Sequence, residues 1–283
     1  MKQTILSVKD ISKSFINRGS VKQQIPKVLN GVSLEIQEKE IIGIVGESGC
    51  GKTTLARIVA GLETPNDGDL VLRENQISFS EPRSKQERKE IQMIFQNTLA
   101  SFNPRMTIGD SIAQPIIEHN ILLSQNLLNQ DINNIQKEIN RLLDSVGLEI
   151  ELANRFPHQV SGGQIQRAAI ARAIACKPTV LIADEPTSAL DVSIRLQILE
   201  LFKKLRETQE LTIIVITHDL PSLKYLADRI FVMYNGEIIE SGETNLILSS
   251  PKQAYTKRLI SAIPSLNPQY KTFEKFTEKC SVI

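Results

Sequence analysis

The chain has 283 residues, 41% hydrophobic and 23% charged, with a formal net charge of +1. That make-up fits a soluble globular protein with room for one large α/β domain or two modest ones. It gives no bulk electrostatic case for a nucleic-acid partner, and no stretch approaches the roughly 18 apolar residues of a membrane span. Residues 1–5 lack the apolar core expected of a secretory signal. The cysteines Cys50, Cys176 and Cys280 are scattered and odd in number, which points away from a disulfide framework and toward a reducing, cytosolic setting.

In chain order, Ile5, Leu6, Val8 and Ile11, then Val28, Leu29, Val32, Leu34 and Ile36, alternate as β-strands do. Residues 41–45 are a continuous apolar run, as in a strand buried on both faces of a parallel sheet. The run leads into Gly46-Glu47-Ser48-Gly49-Cys50-Gly51-Lys52-Thr53-Thr54, where a helix begins that Gly61 ends. Residues 64–68 are a turn cluster, 84–90 a charged, solvated patch, and 91–95 a strand. From 97 to 158 strand patterning disappears. Ile132, Ile135, Ile139, Leu142, Leu143 and Val146 recur at helical spacing before Gly147, which predicts a helical subdomain inserted into an α/β core. A helix over 161–176, a strand over 179–183, a helix over 193–209, a strand over 211–217 and a short helix over 221–227 follow. Residues 231–240 read as a hairpin about Asn235-Gly236. Residues 251–283 read as an appendage.

The glycine-rich loop matches the P-loop pattern in its strand–loop–helix context. Its glycines let backbone N–H groups turn toward phosphate oxygens at the positive end of a helix. Lys52 would reach the β- and γ-phosphates of a nucleotide, and the Thr53 hydroxyl would ligate Mg²⁺. Cys50 is either a thiol activated by the helix N-terminus or a small filler. The strand before Asp184 ends in two acids. Asp184 suits a water-mediated Mg²⁺ ligand, and Glu185 suits a base for the water attacking the γ-phosphate. Without the P-loop, this pair would read as acids stabilised by a helix dipole.

Between these motifs lies Ser161-Gly162-Gly163-Gln164. The three together resemble the ATP-binding subunits of ABC transporters, and the resemblance covers nearly the whole chain. It implies a P-loop α/β core with an N-terminal antiparallel β subdomain. An inserted helical subdomain at about 97–160 completes an ATPase domain over 1–250, and a C-terminal extension spans 251–283. It implies that Ser161, Gly162, Gly163 and Gln164 bind the ATP of a partner subunit, so that two chains work head to tail. By position, Gln96 resembles the Q-loop glutamine that contacts Mg²⁺ and the attacking water. Ser188, Ala189, Leu190 and Asp191 resemble the D-loop, His218 the histidine that senses the γ-phosphate, and Phe15 the ring that stacks on adenine. Val160 stands where the family usually has leucine.

Residues 100–109 and 254–264 resemble segments of the ATPases of dipeptide, oligopeptide and nickel importers. This implies a Mg²⁺- and ATP-dependent subunit on the cytoplasmic face of a prokaryotic membrane. Its partners would be a second ATPase subunit, in a hetero- or homodimer, two transmembrane permease subunits and an extracytoplasmic binding protein. Peptide is the expected cargo and nickel or a metal chelate the alternative. With only Cys280 in the tail, the iron–sulfur centre of some relatives is not expected. A membrane subunit's helix would dock within 96–117, with Phe102, Pro104 and Met106 as apolar candidates or, alternatively, as core. A soluble ABC ATPase of DNA repair or translation would need long heptad arms or two ATPase halves, and neither is present. A module that only holds ATP would not need Glu185 and His218.

Overall fold

The structure, a computed structural model, describes residues 3–15, 27–119 and 128–262. Cys280, the rest of the tail beyond 262 and residues 120–127 lie outside the described residues. The strands are β1 (Thr4–Ser14), β2 (Lys27–Gln37), β3 (Ile41–Val45), β4 (Asp67–Leu72), β5 (Asn75–Ile77), β6 (Ile91–Ile94), β7 (Val180–Asp184), β8 (Thr212–Ile216), β9 (Arg229–Tyr234) and β10 (Glu237–Glu243). The helices are α1 (Lys52–Val59), α2 (Lys85–Glu90), α3 (Ile108–Glu118), α4 (Leu128–Ser145), α5 (Gly162–Ile174), α6 (Val192–Gln209), α7 (Leu220–Leu226), α8 (Thr244–Ser249) and α9 (Ala254–Ser261).

Two sheets result. One is antiparallel, in the order β2-β1-β4-β5. The other runs β10-β9-β3-β8-β7-β6, with β9 to β6 parallel and β10 antiparallel at one edge. The parallel strands are apolar throughout because both faces are covered. Side chains alternate between two cores. Ile41, Val45, Leu181, Ala183, Ile213, Val215, Ile230 and Val232 join a cluster with α3 to α7. Ile42, Ile44, Val180, Ile182, Ile214, Ile216, Phe231 and Met233 join the antiparallel sheet and α1.

The helical stretch bears out its pattern in part. Ile139, Leu142, Leu143 and Val146 are buried, but Ile132 is 64% exposed and does not reach the core. Residues 84–90 are more than a solvated patch. They hold α2, which has no fully buried residue and is started by a reciprocal capping box between Ser84 and Glu87. The hairpin of β4 and β5 carries no local sequence signal, because β5 is only three residues long and has one buried side chain. The segment read as an appendage begins inside the fold, since Tyr255 and Ile260 of α9 belong to the large core cluster.

Candidate functional site

In a parallel sheet the carboxyl ends of the strands lie on one edge, and ligands bind there. Here β3 delivers Gly46, β7 delivers Asp184 and Glu185, β8 delivers Thr217 and His218, and β6 leads to Gln96. Four segments far apart in sequence thus meet because their strands are neighbours.

The P-loop turns sharply at Gly49 (φ +83°) and Gly51 (φ +109°), a left-handed region costly for any residue with a Cβ. Gly46 needs glycine for closeness instead, since a Cβ there would lie 2.2 Å from the Met233 carbonyl oxygen. Glu47, Ser48 and Gly49 face solvent, while Gly51 and Lys52 are buried and Thr53 and Thr54 half-buried at the start of α1. Lys52 Nζ donates to the carbonyls of Gly46 (2.7 Å) and Glu47 (2.8 Å), so the ammonium is held under the loop where a phosphate would enter. Cys50 is half-buried with its sulfur 3.8 Å from Lys52 Nζ. Cys176 lies in the core, where burial pushes its thiol up to about 11.

Thr53 Oγ1 donates to Asp184 Oδ1 at 3.3 Å. Burial raises the Asp184 carboxyl above the ordinary carboxylate range, against the Thr53 hydrogen bond and with help from the Glu185 charge. A buried carboxylate beside a hydroxyl suits Mg²⁺, which takes one or two protein oxygens and completes its shell with phosphate and water. Glu185 sits in the left-handed region (φ +48°), pinned by its N–H to the Ile216 carbonyl at 2.8 Å. This aims its carboxylate at His218, whose Nδ1 lies 2.7 Å from Glu185 Oε1. The carboxylate oxygen accepts and the imidazole donates. The His218 side chain is 70% exposed and the Glu185 side chain nearly covered, so the pair presents its histidine outward.

Sequence reasoning missed the support beneath this pair. Asp219 caps α7 through Ser222 and accepts from Arg195 of α6 at 3.0 Å, and the Asp219 N–H donates to Thr217 Oγ1. The Asp-x-x-Ser pattern at 219–222 is a helix-start signal that could have found Asp219. No local pattern could have found Arg195.

Gln96 is exposed two residues beyond Ile94, which pairs with Ala183, so it lies on the same sheet edge as Asp184. Phe15 is 48% exposed, with Lys13 Nζ 5.0 Å from its ring centre. Lys13 pairs with Leu29, and Leu29 packs on Gly51, so the ring lies at the sheet end next to the P-loop. It is not core. Ser188, Ala189, Leu190 and Asp191 link β7 to α6. The first two are exposed, and the Ser188 hydroxyl donates to the Glu185 carbonyl.

Ser161 caps α5 in a reciprocal capping box with Gln164, at 3.3 and 2.9 Å. Neither residue hydrogen-bonds the P-loop among the described residues. The two glycines differ. A Cβ on Gly163 would meet Ile194 of α6 at 2.8 Å, so packing within the chain demands glycine. A Cβ on Gly162 would meet nothing nearer than Leu190 at 3.7 Å.

The docking candidates need correction. Phe102 is 4% exposed and sits under the Arg172 guanidinium, 4.2 Å from the ring centre, while Arg172 also donates to Ser101. It is core. Pro104 is exposed and Met106 half-buried. Between β6 and α3 lies a cleft of about 280 Å³ lined by Met93, Phe95, Gln114, Pro115 and Arg172. The large apolar side chains exposed within 96–117 are Leu99 and Ile117.

A P-loop, an acidic strand end and a Glu–His pair on the carboxyl edge of a parallel sheet define a P-loop α/β ATPase. Residues 29–188 match the ABC transporter family model, so the chain belongs to the ABC transporter ATP-binding family. It is similar to the oligopeptide transport ATP-binding protein OppF of Bacillus subtilis, 40% identical over 96% of this chain and 86% of that protein. It is also similar to the di/tripeptide transport ATP-binding protein DppF of Pseudomonas aeruginosa, 38% identical over 94% of this chain and 81% of that one. Among solved structures, the dimeric ABC transporter cassette MJ0796 superposes with a TM-score of 0.73 at 29% identity. That match covers 85% of this chain and 99% of the other. The same cassette in a post-hydrolysis state bound to ADP and Pi gives a TM-score of 0.72. No helix among the described residues is long and apolar enough to cross a membrane.

Proposed function

We propose that the chain binds and hydrolyses ATP to energise uptake of peptides through an ABC importer, working head to tail with a second ATPase subunit. The observation that carries the chemistry is the meeting of Lys52, Thr53, Asp184 and the Glu185–His218 pair at one sheet edge. In this reading Lys52 leaves its carbonyl partners for the β- and γ-phosphates, and the loop amides hold the phosphate oxygens. Thr53, Asp184 and Gln96 would hold Mg²⁺, which supplies charge neutralisation on the phosphates when bound. Glu185 takes the proton of the attacking water, and His218 fixes the orientation of that carboxylate. Phe15 offers a face to adenine, with Glu47, Ser48, Cys50 and Thr54 completing the loop around the nucleotide.

The in-trans role of Ser161, Gly162, Gly163 and Gln164 is supported by their lack of hydrogen bonds to the chain's own P-loop and by the open space over Gly162. Ser188, Ala189, Leu190 and Asp191 would cross the same interface. We assign 1–250 to the ATPase unit, with the helical subdomain at about 97–160, and 251–283 to a C-terminal extension. One of two permease subunits would dock a short helix on this chain near Leu99 and Ile117, on the cytoplasmic face of the membrane, with a binding protein outside. The peptide cargo is supported by relatives at about 40% identity that carry peptide-transport names. Cells lacking this chain should lose ATP-dependent uptake of a labelled tripeptide and keep ⁶³Ni²⁺ uptake. Loss of nickel uptake with peptide uptake intact overturns the peptide reading.

A further inference from the structure

The outer side of the P-loop is held by elements from the far end of the chain. The Gly236 N–H, in the turn between β9 and β10, donates to the Cys50 carbonyl at 3.1 Å. The Tyr255 hydroxyl, in the first turn of α9, accepts from the Glu47 N–H at 3.0 Å across 208 residues of sequence. The Tyr255 ring is buried against Tyr234, with ring centres 4.3 Å apart. The start of α9 is itself anchored, because the N–H groups of Lys252 and Gln253 donate to the Glu240 carboxylate at 2.7 and 3.1 Å. Glu47 is therefore gripped at both of its peptide groups, through its N–H by Tyr255 and through its carbonyl by Lys52.

This grip matters because the loop is otherwise soft. Gly49 and Gly51 adopt conformations that glycine leaves as readily as it enters. An anion cradle works only when its amides already point at the phosphate, and binding is weakened by whatever it costs to order them. Fixing the first peptides of the loop sets the direction of those that follow. We propose that Tyr255 is a positioning residue for the nucleotide, its hydroxyl holding the P-loop in its phosphate-binding shape. This deepens the ATPase reading above and rests on it.

The hydroxyl can be removed without the ring. Full-length chain should be titrated with mant-ATP and Mg²⁺ as wild type, Tyr255→Phe and Ile260→Ala. The last variant loosens the packing of α9 without touching the loop. The Glu47 N–H to Tyr255 hydroxyl bond is part-buried, and a hydrogen bond of that kind shifts an equilibrium by about 2- to 10-fold. Tyr255→Phe should therefore raise the Kd about 3- to 10-fold. In the assembled ATPase the KM for ATP should rise in parallel while kcat at saturating ATP stays within about twofold. Ile260→Ala should lower Tm at least as far and leave the Kd within about twofold. A Tyr255→Phe Kd within twofold of wild type, or an equal rise in Ile260→Ala, overturns the proposal. A wild-type chain that binds no mant-ATP overturns the ATP reading, and the proposal falls with it.

Discussion

Glu185 and His218 are two ordinary residues made unusual by where the backbone holds them. Glu185 occupies a left-handed conformation that favours glycine or asparagine, and two hydrogen bonds keep it there, one through its N–H and one through its carboxylate. The side chain is nearly covered, with one carboxylate oxygen on His218 Nδ1 and the other accepting from the Thr217 hydroxyl at 3.4 Å. Glu185→Gln keeps the size and can still hydrogen-bond His218, but it cannot accept a proton. ATP affinity should stay within about twofold while turnover falls roughly 10²- to 10⁴-fold, the contribution expected of a general base. Single-turnover hydrolysis in the assembled transporter measures it. A rate within about threefold of wild type would move the role away from Glu185.

At the scale of elements, the segment after β6 shows how packing and docking divide neighbouring residues. Thr98, Ser101 and Phe102 face α5, where Gln166 and Arg172 hold them, which ties this segment to the helix that begins at the signature. Leu99 and Ile117 face outward, 52% and 49% exposed. Phe102→Ala opens a cavity and removes the ring under Arg172. It should cost about 3 to 5 kcal/mol, seen as a large fall in Tm. Ile117→Asp should leave Tm within a few degrees and ATP affinity unchanged, and should abolish co-purification with the permease subunits. If instead Ile117→Asp co-purifies normally, the cleft beside α3 is not the docking site.

At the scale of the whole molecule, one chain carries a P-loop site whose described partners do not include its own signature. Ser161 is occupied in capping α5, and Gly163 is required by Ile194, so each has a task inside the chain. Gly162 is exposed with open space above it and has no such task, so a substitution there tests the proposed role in trans. Gly162→Arg should leave the fold and the ATP affinity of the isolated chain unchanged within about twofold. In the assembled transporter it should abolish ATPase activity, because the side chain fills the space for the partner's γ-phosphate. A large loss of ATP affinity in the isolated chain would place the signature in cis and end the head-to-tail reading.

Local pattern was enough wherever the physics is local. The apolar run 41–45 followed by a glycine-rich turn specifies a buried strand and an anion cradle, because each requirement falls on adjacent residues. The Asn235-Gly236 hairpin, the start of α5 at Ser161 and the acidic end of β7 are legible for the same reason. Patterning failed where burial depends on a distant neighbour. Ile132 keeps helical spacing yet stays outside the core, and Phe102 looks like a docking side chain until Arg172 covers it. The order β9-β3-β8-β7-β6 alone decides that Lys52, Asp184 and His218 share one edge, since strand neighbours are set by which faces bury one another and not by chain order. The contact of Tyr255 with Glu47 belongs wholly to that tertiary level. A hydroxyl near the end of the chain meets an amide near its beginning only because α9 packs against the sheet that carries the P-loop.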